Sequence, residues 1–103
     1  MSGFVLHPEA LADLDEIWEF IAVDSLEAAD RVLDEIREAI HSLVALPRLG
    51  HIRADLTSRP LRFHPARDYL IAYTPDEKPL VVVAVLHGRR NPRVIAALLR
   101  ERG

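Results

Sequence analysis

The chain has 103 residues, a net charge of −3 and no cysteine, a size that makes one domain (residues 1–103) with a core that needs no covalent staples. The missing cysteine excludes disulfides, zinc thiolate sites and thiol catalysis, and it fits a reducing cytoplasm. No apolar run approaches the ~20 residues of a membrane span, and the N-terminus lacks the basic start and long apolar stretch of a signal peptide, so a cytoplasmic protein without membrane contact is expected.

Phe4, Val5 and Leu6 read as a short first strand. Pro8 suits the first turn of a helix, although His7 is a weak N-cap residue. Leu11, Leu14, Ile17, Trp18 and Ile21 then repeat at helical spacing, so a helix is expected over 8–22 with Trp18 in the core. Glu9, Asp13, Glu16 and Glu19 fall on its other faces and read as solvated. Asp24 and Glu27 have capping-box spacing. A second helix follows, with Ala29, Val32, Leu33, Ile36, Ile40, Leu43 and Val44 on one stripe, and Pro47 ends it at or before Leu46. The short connection makes the two helices antiparallel neighbours.

Residues 47–60 are loop-rich, punctuated by Pro47, Gly50 and Pro60, with brief pairing possible over 52–56. Leu61, Arg62 and Phe63 alternate as a half-buried strand, and 65–68 form a turn. Tyr69–Thr74 is a strand, followed by a hairpin turn over 75–79. Leu80 to Leu86 is then unbroken apolar sequence rich in valine, a central strand that must be covered on both faces. It ends abruptly in His87, Gly88, Arg89, Arg90, Asn91 and Pro92. A short helix over 93–102 closes the chain, with Val94, Ile95, Leu98 and Leu99 on one face. The expected class is α+β: a strand, an antiparallel two-helix hairpin on one face of a mainly antiparallel sheet of three to four strands, and a short C-terminal helix.

Charge is unevenly distributed. Residues 1–47 hold two arginines against eleven acidic residues, and residues 48–103 hold eleven basic against five acidic residues. Twelve of the thirteen basic residues are arginine, whose planar fork suits carboxylates and phosphates. The basic half points to an anionic partner, nucleic acid or an acidic protein segment; the alternative is that the halves pair inside the fold. The five histidines lack ligand spacing, so no metal and no cofactor is expected.

The stretches HPEALADLDEIWEFIA (7–22), AADRVLDEIREAIHSLVALPRLG (28–50), LRFHPARDYLIAYT (61–74) and VVVAVLHGRRNP (81–92) together resemble the RelE/ParE superfamily of bacterial toxins, more closely the ParE branch. Leu-Pro-x-x-Gly after the second helix and His-Gly-Arg after the last strand are its most specific parts. The resemblance implies a helical hairpin on a twisted antiparallel sheet, a toxin that inhibits DNA gyrase, and a small antitoxin that neutralises it. That antitoxin is expected to fold on binding, laying an amphipathic helix in an apolar groove and adding a strand to a sheet edge. Two alternatives remain: a RelE-like ribosome-dependent mRNA endoribonuclease and a non-toxic antitoxin-binding module. A ribonuclease would rest on Arg62, His87 and Arg89, with arginines neutralising a phosphorane and His87 moving protons. Against it, no tyrosine follows Tyr73 and the only lysine is Lys78, in a turn. Candidate contacts with target or antitoxin are Arg62, Arg67, Tyr73, His87, Arg89 and Arg90. For Tyr73, sheet packing is the competing role. For Arg89 or Arg90, it is a buried ion pair anchoring the C-terminal segment.

Overall fold

A computed structural model describes residues 3–102; the outermost positions of the domain assigned to 1–103, including the first two of the N-terminus, lie outside the described residues. The elements are β1 (Phe4–Leu6), α1 (Pro8–Ala22), α2 (Leu26–Ala45), β2 (Arg62–Ala66), β3 (Tyr69–Thr74), β4 (Leu80–His87) and α3 (Pro92–Glu101). The sheet order is β1-β4-β3-β2. β1 runs parallel to β4, while β2–β3 and β3–β4 are antiparallel hairpins. The apolar run 80–86 is therefore an interior strand.

Two cores cover it. On one face α1 and α2 pack Ala10, Leu14, Ile17, Val32, Ile36, Ile40 and Leu43 against Ile71, Tyr73, Leu80, Val82 and Val85. On the other, Ile95 and Leu99 of α3 join Leu56, Leu61, Phe63, Ala72, Val83, Ala84 and Leu86. The helices thus occupy both faces of the sheet rather than the one face expected, because α3 is needed to cover the second side of β4. The register slips between Ala72 and Tyr73: Ala72 faces Ala84 and Tyr73 faces Val82, leaving Val83 as the extra residue of a bulge. Val83 and Ala84 consequently both face the second core.

Several local expectations are corrected. His7 does cap α1, its Nδ1 accepting the Glu9 N–H at 3.1 Å. Ser25, not Asp24, caps α2: it is extended (φ −161°) and its Oγ accepts the Ala28 N–H. The buried stripe of α1 is Ala10, Asp13, Leu14 and Ile17, so Leu11 is half exposed and Asp13 is inside. Trp18 lies at the edge of this stripe, half-buried and outside both cores, with its Nε1 donating to Asp30 Oδ1 at 2.9 Å. Residues 53–56 turn instead of pairing, and only His51 bridges to Phe63. Val94 of α3 is exposed, because two buried residues, Ile95 and Leu99, suffice to seat so short a helix.

Candidate functional site

The candidate residues divide between the two ends of the sheet. At one end, Arg62 and Tyr73 face each other across β2 and β3. Tyr73 is fully buried. Its hydroxyl donates to the Pro47 carbonyl at 2.7 Å and accepts the Gly50 N–H at 2.9 Å. Burial raises the Tyr73 pKa, opposed by the Gly50 bond and the charges of Arg62 and Arg48. Arg62 Nη1 donates to the Gly50 carbonyl at 2.7 Å. The Leu-Pro-x-x-Gly stretch is thus a loop tied to the sheet by these two side chains, and Tyr73 offers a partner no surface.

At the other end, Arg67 occupies the two-residue β2–β3 turn with a left-handed φ of 53°. Its guanidinium pairs with Glu35 of α2 at 2.7 Å. Beside this turn runs the loop after β4. Gly88 donates its N–H to Asp68 O at 2.8 Å, and a Cβ there would fall 3.3 Å from the same oxygen. Asn91 Oδ1 accepts the Arg93 N–H and caps α3, with Pro92 in the first helical position. The His-Gly-Arg-Arg-Asn-Pro stretch is therefore pinned at Gly88 and Asn91. Between the pins, Arg89 and Arg90 are exposed, and neither makes an ion pair among the described residues.

His87 meets Tyr69 across the hairpin, ring centroids 5.4 Å apart and edge to face. Its Nδ1 accepts the Arg89 N–H at 3.2 Å. Burial, with Asp68 nearby, raises the Tyr69 pKa. His87, Tyr69 and Arg90 form one wall of an open cleft of about 290 Å³; Glu16, Ile17 and Phe20 of α1 form the other, and Asp13, Val85 and Leu86 complete the lining. Phe20 is 79% exposed at its mouth. A second, more apolar groove of about 490 Å³ lies at the far end, between Phe4, Val5, Val44, Pro47, Pro75 and Pro79.

Arg62 and His87 do not converge. They flank β3 at Tyr73 and Tyr69 respectively, four residues apart, or roughly 13 Å along the strand at ~3.3 Å per residue. Arg67, His87, Arg89 and Arg90 do share one end of the sheet. No group of three His, Asp or Glu side chains among the described residues is arranged to hold a metal ion.

Ion pairs join the two charged halves at two places among the described residues. Among the described residues, only Arg67–Glu35 and Arg102 with Asp13 and Glu9 pair across them; Arg48–Asp76 and Arg53–Asp55 pair within the basic half. Sequence reasoning read Asp13 as a solvated residue of the first helix and gave Arg102 no role. Arg102 binds the Asp13 carboxylate with both Nη atoms, at 2.6 and 2.9 Å, in a site where the two side chains are 8% and 9% exposed. This is the buried pair that anchors the C-terminal segment; neither Arg89 nor Arg90 makes it. The signal was present: Asp13 falls between Ala10 and Ile17 at three- and four-residue spacing, on the apolar stripe.

A helical hairpin on a mainly antiparallel sheet is the architecture that the resemblance implies. The family model for the ParE toxin of the type II toxin–antitoxin system parDE matches residues 4–92, and the chain belongs to that family. A relative, Toxin ParE3 of Caulobacter vibrioides (strain ATCC 19089 / CIP 103742 / CB 15), is 32% identical over 81 residues, covering 77% of this chain and 79% of the relative. The protein is accordingly the toxin component of a toxin–antitoxin system, and a cognate antitoxin is its implied partner. No helix among the described residues is long and apolar enough to cross a membrane.

Proposed function

We propose that this toxin acts on DNA gyrase and that its antitoxin silences it by covering the basic end of the sheet. The observation that carries the reading is the pair Arg89–Arg90: two exposed guanidinium groups in no ion pair among the described residues, on a loop pinned at both sides, in a chain of the ParE family. Pinning lowers the entropy lost when a partner binds them. The exposed Phe20, which lines the same cleft as Arg90, gives an antitoxin both an apolar and a cationic foothold, which suits an amphipathic segment carrying acidic residues. The separation of Arg62 from His87 weighs against a ribonuclease centre built from Arg62, His87 and Arg89. The test is a gyrase supercoiling assay run beside a ribosome-dependent mRNA cleavage assay with the same purified protein. Inhibited supercoiling or trapped cleaved DNA, with intact message, is the expected result. Codon-dependent cleavage of ribosome-bound message, abolished by His87→Ala, would replace this reading with the ribonuclease.

A further inference from the structure

Among the described residues, the second half of β4 has no strand beside it on the β1 side. β1 pairs only with residues 80–82. His7 then donates its N–H to Val82 O at 2.9 Å, and the chain turns away into α1. Beyond the bulge, Gly88 donates to Asp68. The antiparallel pattern therefore makes His87/Tyr69 and Val85/Ile71 non-hydrogen-bonded pairs, and the N–H groups of Val85 and His87 point toward this open side. An unpaired edge of this kind is a template for another strand.

Two side chains fill it. Asp13 Oδ2 accepts the Val85 N–H at 3.0 Å, reaching across 72 residues of sequence. Arg102 Nη1 donates to Val83 O at 3.3 Å while holding the same Asp13 oxygen. Arg102 is itself fixed from outside, because Arg59 Nη1 donates to its carbonyl at 2.8 Å. The arrangement is not an optimal ion pair. Arg102 Nε is buried without a hydrogen bond, although Glu9 Oε2 lies 3.0 Å away outside bonding alignment. A buried pair of this kind is weak evidence of stabilisation, since an apolar pair of similar volume often serves a core as well. What an apolar pair cannot do is satisfy a main-chain donor and a main-chain acceptor at once.

We infer that the Asp13–Arg102 pair is an edge seal: it occupies the hydrogen-bonding positions of Val83 and Val85 that an added strand would use, and it keeps the β4 edges of two copies of this chain from pairing. This concerns the free chain and does not rest on the gyrase reading.

Amide hydrogen exchange on the native protein tests it first. Val85 and His87 share the edge, and among the described residues only the Val85 N–H meets a side-chain acceptor. The Val85 amide is expected to exchange about 100-fold more slowly than that of His87; equal rates would overturn the inference. The second test is the double substitution Asp13→Leu with Arg102→Met, which keeps side-chain bulk and removes both edge partners. The folded variant is expected to lose the protection of Val85 and to gain molar mass with concentration in light scattering, relative to wild type. A folded variant whose association state matches wild type would reject the seal. Should the variant not fold, the comparison of Val85 with His87 in the wild-type chain decides the question alone.

Discussion

The hydroxyl of Tyr73 lies where a side chain on Gly50 would have to be: a Cβ at residue 50 would fall 2.5 Å from the Tyr73 oxygen and 2.9 Å from the Phe63 carbonyl. Gly50 is thus fixed by close approach, and the loop after α2 closes on the sheet through a tyrosine buried in β3. Gly50→Ala is expected to destabilise the fold by about 1–3 kcal/mol through overpacking. Tyr73→Phe should cost about 1–3 kcal/mol by leaving the Gly50 N–H and Pro47 carbonyl unpartnered. Denaturant unfolding of both single variants and the double variant gives the coupling. The double variant should lose at least ~0.5 kcal/mol less than the sum, since Phe removes one of the clashing atoms. Strict additivity would show that the two residues do not share this contact.

Trp18 is half-buried and hydrogen-bonded to Asp30. Trp18→Ala is therefore expected to cost about 1–2 kcal/mol, below the ~3–5 kcal/mol of an emptied core site. Chemical denaturation measures it. A loss above 3 kcal/mol would place the indole in the core after all.

For Arg89 and Arg90, replacement of both by alanine should leave the thermal midpoint within about 2 °C of wild type, because exposed arginines without partners carry little folding energy. Growth arrest on expression should disappear. A variant that folds normally and still arrests growth would remove these two residues from the target-binding surface.

The charge separation bears on kinetics. With Arg89 and Arg90 exposed and in no ion pair among the described residues, association with an acidic antitoxin segment should slow by about tenfold or more from low to high ionic strength, while dissociation changes little. Stopped-flow rates over a salt series test this. A salt-independent association rate would mean that charge does not steer the encounter.

His64 on β2 has its pKa lowered by burial and then by the nearby His51. The unfolded chain, with an ordinary histidine pKa near 6.5, then binds more protons than the folded one as pH falls below that value. His64 thus favours folding fully above about pH 6.5, and this contribution is lost as pH drops toward its depressed folded value. Denaturation midpoints measured from pH 7.5 to 5 should fall, and His64→Gln should flatten the slope. An unchanged slope in the variant would assign the acid sensitivity elsewhere.

Which parts of the molecule were readable in advance follows from the range of the interactions that set them. Both hairpin helices and the strands over 69–74 and 80–86 were found because their patterns are local and strong; the last strand runs one residue further, to His87. The position of α3 across the sheet was not, since it depends on which face of β4 remains bare once α1 and α2 have docked. Trp18 was misplaced because the stripe of α1 is centred nearer Ala10 and Ile17, and turning a helix by roughly half of the ~100° between successive residues brings Asp13 in and moves Leu11 and Trp18 outward. The buried carboxylate was discounted because its reason lies elsewhere: an unpaired amide on Val85 and a guanidinium 89 residues further along the chain. Tyr73 and Arg62 looked like contact residues for the same reason, as nothing near them in sequence reveals that the 47–50 loop returns to meet them.

The parallel pairing of β1 with β4 joins residue 4 to residue 80, and this has a consequence for the order in which the chain assembles. The α1–α2 and β3–β4 hairpins close over short separations and form early, whereas loop entropy delays β1 until everything between is in place. Until then β4 has a second vacant flank, and its valines are open to solvent or to any neighbouring chain. The interval between β3–β4 closure and β1 docking is when this protein is most exposed to misassembly. Pulse-labelled amide exchange during refolding would reveal it as protection at Ala72 and Ala84 that precedes protection at Leu80; simultaneous protection would mean that the sheet forms in one step.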